Sequence, residues 1–384
     1  MPSPRAMWPS SDAADERLDA EDLGLPPETP LPLQFRAARE WSPLVISFPH
    51  VGLAWPEGLG PTPVVDFARN ADYEVDHVYT RAHELGAATV QAIYSRLLVD
   101  LNRASDDISA RVVPDHPAPR PRRRPGVIAT DRDHDDIDHS RPGRGVVWSS
   151  ALGNVPLLHG PLAFADFRAR IERFHEPYYR ALETLLERRR RHFGYAILLD
   201  AHSMPNTVGI DLVVGTLGSS SCSTGIERLA LDALAGISGG PELRLRLNDP
   251  YHGGEVVRRF GRPAEGIHAL QLEVSRALYM DERTLALWSA QDPDAPSEPP
   301  RTSATLAHPG PLPAAPAVSK ARVHAQPPSP RHAADFNELR RRVSCLIAGL
   351  AHQSRDASAV GTSFAATRAT EPKAPRSRAR MRTT

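Results

Sequence analysis

The chain has 384 residues, a formal net charge of zero, 41% apolar residues and 38 prolines. That apolar fraction supplies one sizeable core, while the prolines argue that much of the length stays outside it. The neutral balance excludes a global field that would steer the protein toward nucleic acid or a membrane surface. Two cysteines, Cys222 and Cys345, are too few for a disulfide framework, and a reducing, cytoplasmic setting is the simpler reading. Met1 to Glu40 has no apolar h-region of a secretory signal, and no run is long enough to span a bilayer.

Taken in chain order, residues 1–40 are acidic and Pro-rich without periodicity and are expected to be disordered. A catalytic domain is expected over residues 41–290. Its first strand, Leu44-Val45-Ile46-Ser47-Phe48, runs into Pro49-His50. Val75, Val78, Leu85, Ala88 and Ile93 can share one face of a helix around Phe67 to Ile93. A strand over Leu97 to Leu101 follows, and residues 104–145 read as a long loop carrying Pro and Arg at 119–125. Phe164, Phe167, Ile171, Phe174, Tyr178, Leu182 and Leu185 recur at spacings of three and four, which predicts a long helix to about Arg190.

Ala196 to Leu199 is a strand ending on Asp200-Ala201-His202-Ser203, and Ile210 to Thr216 is another. A short helix at Ile226 to Leu234 precedes a strand at Leu243 to Leu247. The last strand, Ile267 to Val274, contains Glu273, and a helix at Asp281 to Trp288 closes the domain. Eleven prolines between Pro293 and Pro330 mark a linker over 291–334. Asp335 is positioned to cap a helix over 335–352, whose stripe of Phe336, Leu339, Val343, Leu346, Ile347 and Leu350 should pack on the core. Residues 353–384 read as a basic, disordered tail. Short apolar strands of this kind predict an α/β domain with a mixed, largely parallel central sheet flanked by helices.

Ligands of such sheets bind beyond the carboxyl ends of the strands. His50 and His202 follow strands directly and are candidate metal ligands. A hydrolytic zinc site typically adds a carboxylate to two imidazoles and leaves one position for water. Asp76, in the acidic segment Asp72-Tyr73-Glu74-Val75-Asp76, is preferred over Asp72 as the third ligand. The alternative for Asp76 is a solvated helix start. Glu273 is a carboxylate in an otherwise apolar strand, costly unless it is paired or faces a cleft. It is the candidate general base, and a buried ion pair with Arg276 or another Arg is the structural alternative. Arg103 and Asn102, just beyond Leu101, could hold a substrate carboxylate, with Arg96 as a second guanidinium.

Several ordered pieces then resemble the N-formylglutamate amidohydrolase family over roughly Trp41 to Arg283. They are Ser47-Phe48-Pro49-His50-Val51-Gly52, Asp72 to Asp76, Tyr94-Ser95-Arg96, and Asp100-Leu101-Asn102-Arg103. Further on come Pro177-Tyr178, Asp200-Ala201-His202-Ser203-Met204-Pro205, Asn248-Asp249-Pro250-Tyr251 with Gly253-Gly254, and His268 to Glu273 continuing through Arg276 to Glu282.

The resemblance implies a relative of the zinc carboxypeptidase and aspartoacylase hydrolases, with one divalent ion, a metal-activated water and amide hydrolysis. It implies that Asn102 and Arg103 bind substrate carboxylate and that Glu273 is the general base. The implied substrate is a small N-acylated amino acid. In glutamate-releasing members the products are formate and L-glutamate, the last step of one route of histidine degradation.

Besides the Arg-rich insertion near Pro119 to Pro125 and the long C-terminal extension, the chain departs from the family pattern at three positions. Tyr179 stands where many members have His after Pro-Tyr, Thr216 where many have an acidic residue, and Val51 where a small polar residue is common. These departures leave the acyl group and amino acid open. A second reading, a nucleic-acid-binding or scaffold protein, rests on the Arg run at 120–124 and the basic tail, but no aromatics interleave them. A catalytically inactive homologue is a third.

Overall fold

A computed structural model of the chain describes residues 16–119, 144–236, 241–288 and 330–353. Its first half holds β1 (Leu33–Arg36), β2 (Leu44–Phe48), α1 (Phe67–Asn70), β3 (Ala88–Ala92), α2 (Phe164–Arg170) and α3 (Glu176–Phe193). There follow β4 (Ala196–Met204), β5 (Leu212–Gly215), α4 (Thr224–Ala235), β6 (Leu245–Leu247), α5 (Glu255–Phe260) and β7 (Ile267–Ser275). A small hairpin of β8 (Met280–Asp281) and β9 (Ala286–Leu287) precedes the C-terminal α6 (Pro330–Ala351). No helix among the described residues is long and apolar enough to cross a membrane.

Seven strands form one mixed sheet in the order β1-β3-β2-β4-β7-β5-β6. The central β3, β2, β4 and β7 run parallel, while β1 and β5 join antiparallel. Both faces are covered, as the near-continuous apolar strands require. Val45, Val90, Leu198 and Ala269 pack under α2, α3 and α5. Leu44, Ile46, Ile197, Leu199 and Leu270 face the opposite layer, where α4 and α6 lie. The six apolar residues expected on α6 are all buried there, although the helix begins at Pro330, ahead of Asp335.

Four local expectations are corrected. Residues 16–40 are not outside the fold: β1 forms the sheet edge, Leu18 and Leu23 are buried, and Glu16 makes a bidentate pair with Arg189 of α3 at 2.7 and 2.8 Å. The single helix expected around residues 67–93 is broken into α1, a 3-10 turn at Val75–Tyr79 and β3. Glu74 and Gly86 occupy left-handed backbone conformations that interrupt any continuous helix. Leu97–Leu101 is a buried turn instead of a strand, with Leu98 N donating to Ser95 O and Arg103 N to Asp100 O. Residues 281–288 form the β8–β9 hairpin, because Asp281 Oδ1 accepts from Arg283 N and caps the turn.

The long helix expected from Ala163 is present with a π-helical turn at Ile171–His175 between α2 and α3. Pro177 follows, and its missing N–H removes one regular helical bond at that point. The described part of the 104–145 loop is packed, with Ile108, Val112 and Val113 buried and Val146 N donating to Asp107 O. Most of the Arg-rich run, the linker before residue 330, the first 15 residues and the basic tail lie outside the described residues.

Candidate active site

His50 follows β2 in a segment that presses on Ile93 and Tyr94. A Cβ on Gly52 would lie 2.4 Å from the Tyr94 carbonyl, so this crossing needs glycine. The His50 carbonyl accepts from Asp72 N at 2.9 Å, which brings the Asp72 side chain beside the imidazole. His202 lies on β4, and its Nδ1 is 2.9 Å from Asp72 Oδ2. His50 Nδ1 is 3.4 Å from the same oxygen. All three residues are buried, and the rings of His50 and His202 are 4.8 Å apart.

The far side of each imidazole meets another carboxylate. His50 Nε2 donates to Asp100 Oδ1 at 2.7 Å, and His202 Nε2 donates to Asp200 Oδ2 at 2.7 Å. That leaves both Nδ1 atoms directed at Asp72, with His50 Nδ1 buried and without a hydrogen-bond partner. Imidazoles whose second nitrogen is bonded to a carboxylate are the usual form of metal-binding histidines. The His50, Asp72 and His202 ligand atoms all fall within 4.8 Å of one another. The donor set therefore fits a divalent ion. Burial works against charge on Asp72, but the hydrogen bond from His202 and the close His50 imidazole hold its carboxyl well below the usual range.

Asp76 does not join this group. Val75, Val78 and Tyr79 turn inward on the 3-10 turn, which leaves Asp76 on the outer side with His77 and Glu74. Asp72, the alternative carboxylate in the same segment, occupies the position expected of Asp76. Ser203 Oγ donates to Asp72 Oδ1 at 3.3 Å, and Arg276 approaches that oxygen at 3.6 Å.

Glu273 on β7 is the register partner of His202 on β4, and Gln271 is the partner of Asp200. Burial pushes the Glu273 carboxyl up to about 7, against the pull of the nearby His202, His50 and Arg96. Gln271 Nε2 donates to Glu273 Oε1 at 2.8 Å, and Gln271 Oε1 accepts from Gly254 N at 2.8 Å. Arg276, weighed as an ion-pair partner of Glu273, bonds instead to Ser203 and to the Ala71 carbonyl.

Asn102 is wedged between β4 and α5. Its Oδ1 accepts from Val256 N at 2.9 Å, and its Nδ2 stands 3.2 Å from His202 Nε2. Both of those nitrogens carry hydrogen when Asp200 holds the His202 proton, so the contact to His202 is packing and not a hydrogen bond. A Cβ on Gly254 would lie 2.1 Å from the Asn102 side chain, which explains glycine there. Arg96 donates to Asp100 Oδ2 at 2.7 Å and lies over the Trp148 ring, whose Nε1 donates to the same oxygen at 3.1 Å. Arg103 approaches Asp107 at 3.9 Å. Asp100, Asp200, Gln271 and Trp148 were not singled out as site residues. Their signal was the alternation of polar groups in buried strands for Asp200 and Gln271; Trp148 had none.

The model of the family N-formylglutamate amidohydrolase matches residues 42–280. The N-formylglutamate deformylase of Pseudomonas putida is 30% identical over 252 residues, covering 62% of this chain and 82% of the relative. That of Pseudomonas aeruginosa is 30% identical over 263 residues, 65% of this chain and 86% of the relative. The crystal structure of N-formylglutamate amidohydrolase from Ralstonia eutropha JMP134 superposes with a TM-score of 0.61 at 25% identity. It covers 84% of this chain and 98% of that one.

Proposed function

The chain belongs to the N-formylglutamate amidohydrolase family, hydrolases of carbon–nitrogen amide bonds, and we propose that it releases formate from N-formyl-L-glutamate in a metal-dependent reaction. The observation that carries the metal dependence is the pair of buried imidazoles aimed at Asp72, each fixed from behind by a carboxylate. His50, Asp72 and His202 would hold the ion, and zinc suits this nitrogen and oxygen donor set. When bound, such an ion polarises a carbonyl and acidifies water.

The residues of the chain supply the rest. Glu273 is the general base. Gln271 engages Oε1, which leaves Oε2 to take a proton from the attacking water and pass it to the leaving nitrogen. Burial of this carboxyl favours its protonated form and so helps it take up the proton from water. The Arg103 guanidinium takes a substrate carboxylate, with Asn102 Nδ2 as a neighbouring amide donor. Arg96, braced by Asp100 and Trp148, offers its remaining N–H groups to a substrate oxygen.

Stripping the protein of divalent metal with a chelator and assaying formate release from N-formyl-L-glutamate tests this reading. Activity should vanish and return on adding zinc. Undiminished turnover in protein shown by elemental analysis to be free of metal would refute it.

A further inference from the structure

The turn that carries Asn102 and Arg103 has a donor at every carbonyl. Asp100 O accepts from Arg103 N at 3.1 Å within the turn, and Asn102 O lies 3.5 Å from Glu255 N at the start of α5. The other two carbonyls are served by side chains. Tyr179 Oη donates to Leu101 O at 2.9 Å, and His175 Nε2 donates to Arg103 O at 2.8 Å.

His175 and Tyr179 lie one helical turn apart, and their rings stack at 4.4 Å with only 13° between planes. Phe260 stacks on Tyr179 at 5.8 Å, and Arg259 lies over the same ring at 5.4 Å. Both rings are buried. Burial lowers His175 to about 4, so it is neutral and the one ring proton faces the Arg103 carbonyl. The Arg103 guanidinium itself meets Asp107 only at 3.9 Å, longer than a hydrogen bond. The direction in which Arg103 leaves the turn is therefore set by its backbone, and that backbone is pinned from α3 and the π turn before it.

We propose that His175 and Tyr179 are positioning residues: a stacked pair that clamps the Leu101 and Arg103 carbonyls and so fixes the Arg103 guanidinium for an acidic substrate. Tyr179 is the position where the chain departs from the Pro-Tyr-His pattern, and here its hydroxyl supplies the donor. The inference rests on the reading of Arg103 as the carboxylate-binding residue.

The test compares N-formyl-L-glutamate with N-formyl-L-methioninamide, a neutral substrate that carries no carboxylate, using the full-length, metal-loaded protein. Tyr179→Phe keeps the stack and removes only the hydroxyl; His175→Met removes the imidazole donor, and His175→Gln keeps an N–H in its place. Tyr179→Phe and His175→Met should each raise KM for the acidic substrate on the order of tenfold. The value of kcat should stay within about twofold, and KM for the neutral substrate should move little. His175→Gln should recover most of the loss.

In an Arg103→Met background, Tyr179→Phe should add nothing further to the acidic-over-neutral preference, since both act through one guanidinium. If Arg103→Met itself leaves that preference intact, the carboxylate reading fails and the clamp with it. If Arg103→Met abolishes the preference while Tyr179→Phe and His175→Met keep wild-type KM, the clamp alone is overturned. Equal losses of kcat on both substrates with unchanged KM would also overturn it, because a purely structural role acts that way.

Discussion

His202 and Glu273 are register partners on β4 and β7, so a candidate metal-ligand imidazole and a buried carboxylate stand side by side on one face of the sheet. Parallel strands place partners at the same level along the sheet, and no loop has to fold correctly to bring them together. Glu273→Gln keeps the shape and the Gln271 contact region but removes the proton acceptor. The expected result is a loss of about 10²- to 10⁴-fold in kcat with the metal still bound, measured by formate release and elemental analysis. Near-wild-type turnover would remove Glu273 from the mechanism.

The chain should lose stability in mild acid. Burial lowers His175 and His268 each from 6.5 to about 4. Between those values each of these two imidazoles takes up a proton in the unfolded chain but not in the folded one, so their contribution to stability rises with pH across the window. The contribution is complete above pH 6.5 and declines as pH falls toward 4, at on the order of 3 kcal/mol for each imidazole. Denaturant unfolding at pH 7 and pH 5 measures it. His268→Gln should flatten the slope; a slope unchanged in that variant would assign the acid sensitivity elsewhere.

The N-terminal segment should contribute to stability through Glu16 and Arg189. Both are buried, and each guanidinium nitrogen in the pair meets its own carboxylate oxygen. Glu16→Ala leaves the Arg189 charge buried and unpaired, a change that costs on the order of 3–5 kcal/mol. Thermal unfolding should show a drop of several degrees. The paired replacement Glu16→Leu with Arg189→Met should recover much of the loss, since well-packed apolar groups of similar size serve as well there.

Much of the site was legible because its strands are legible. His50, His202 and Glu273 sit at or near the ends of apolar runs, and those runs became β2, β4 and β7. Asp200 and Gln271 repeat the polar pattern two residues before His202 and Glu273, so period-two reading of those strands exposes all four. Asp72 was harder to choose over Asp76, because a continuous helix would put both on one face. The break comes from Glu74 in a left-handed conformation, which its residue type does not announce. Leu97–Leu101 looked like a strand because burial alone made it apolar. What shapes it as a turn is contact with Val146 and Tyr179, neither of them a neighbour in sequence. The packing of residues 16–40 likewise depends on Arg189, 173 residues beyond Glu16.

The measurement that bears most directly on the central claim is metal content and formate release in two variants, Asp72→Ala and Asp76→Ala. With Asp72 between the two imidazoles and Asp76 on the outer side of its turn, the first variant should lose both the bound ion and the hydrolysis of N-formyl-L-glutamate. The second should retain a full equivalent of metal and essentially wild-type turnover. Metal retained without Asp72, or lost without Asp76, would contradict the centre described by His50, Asp72 and His202.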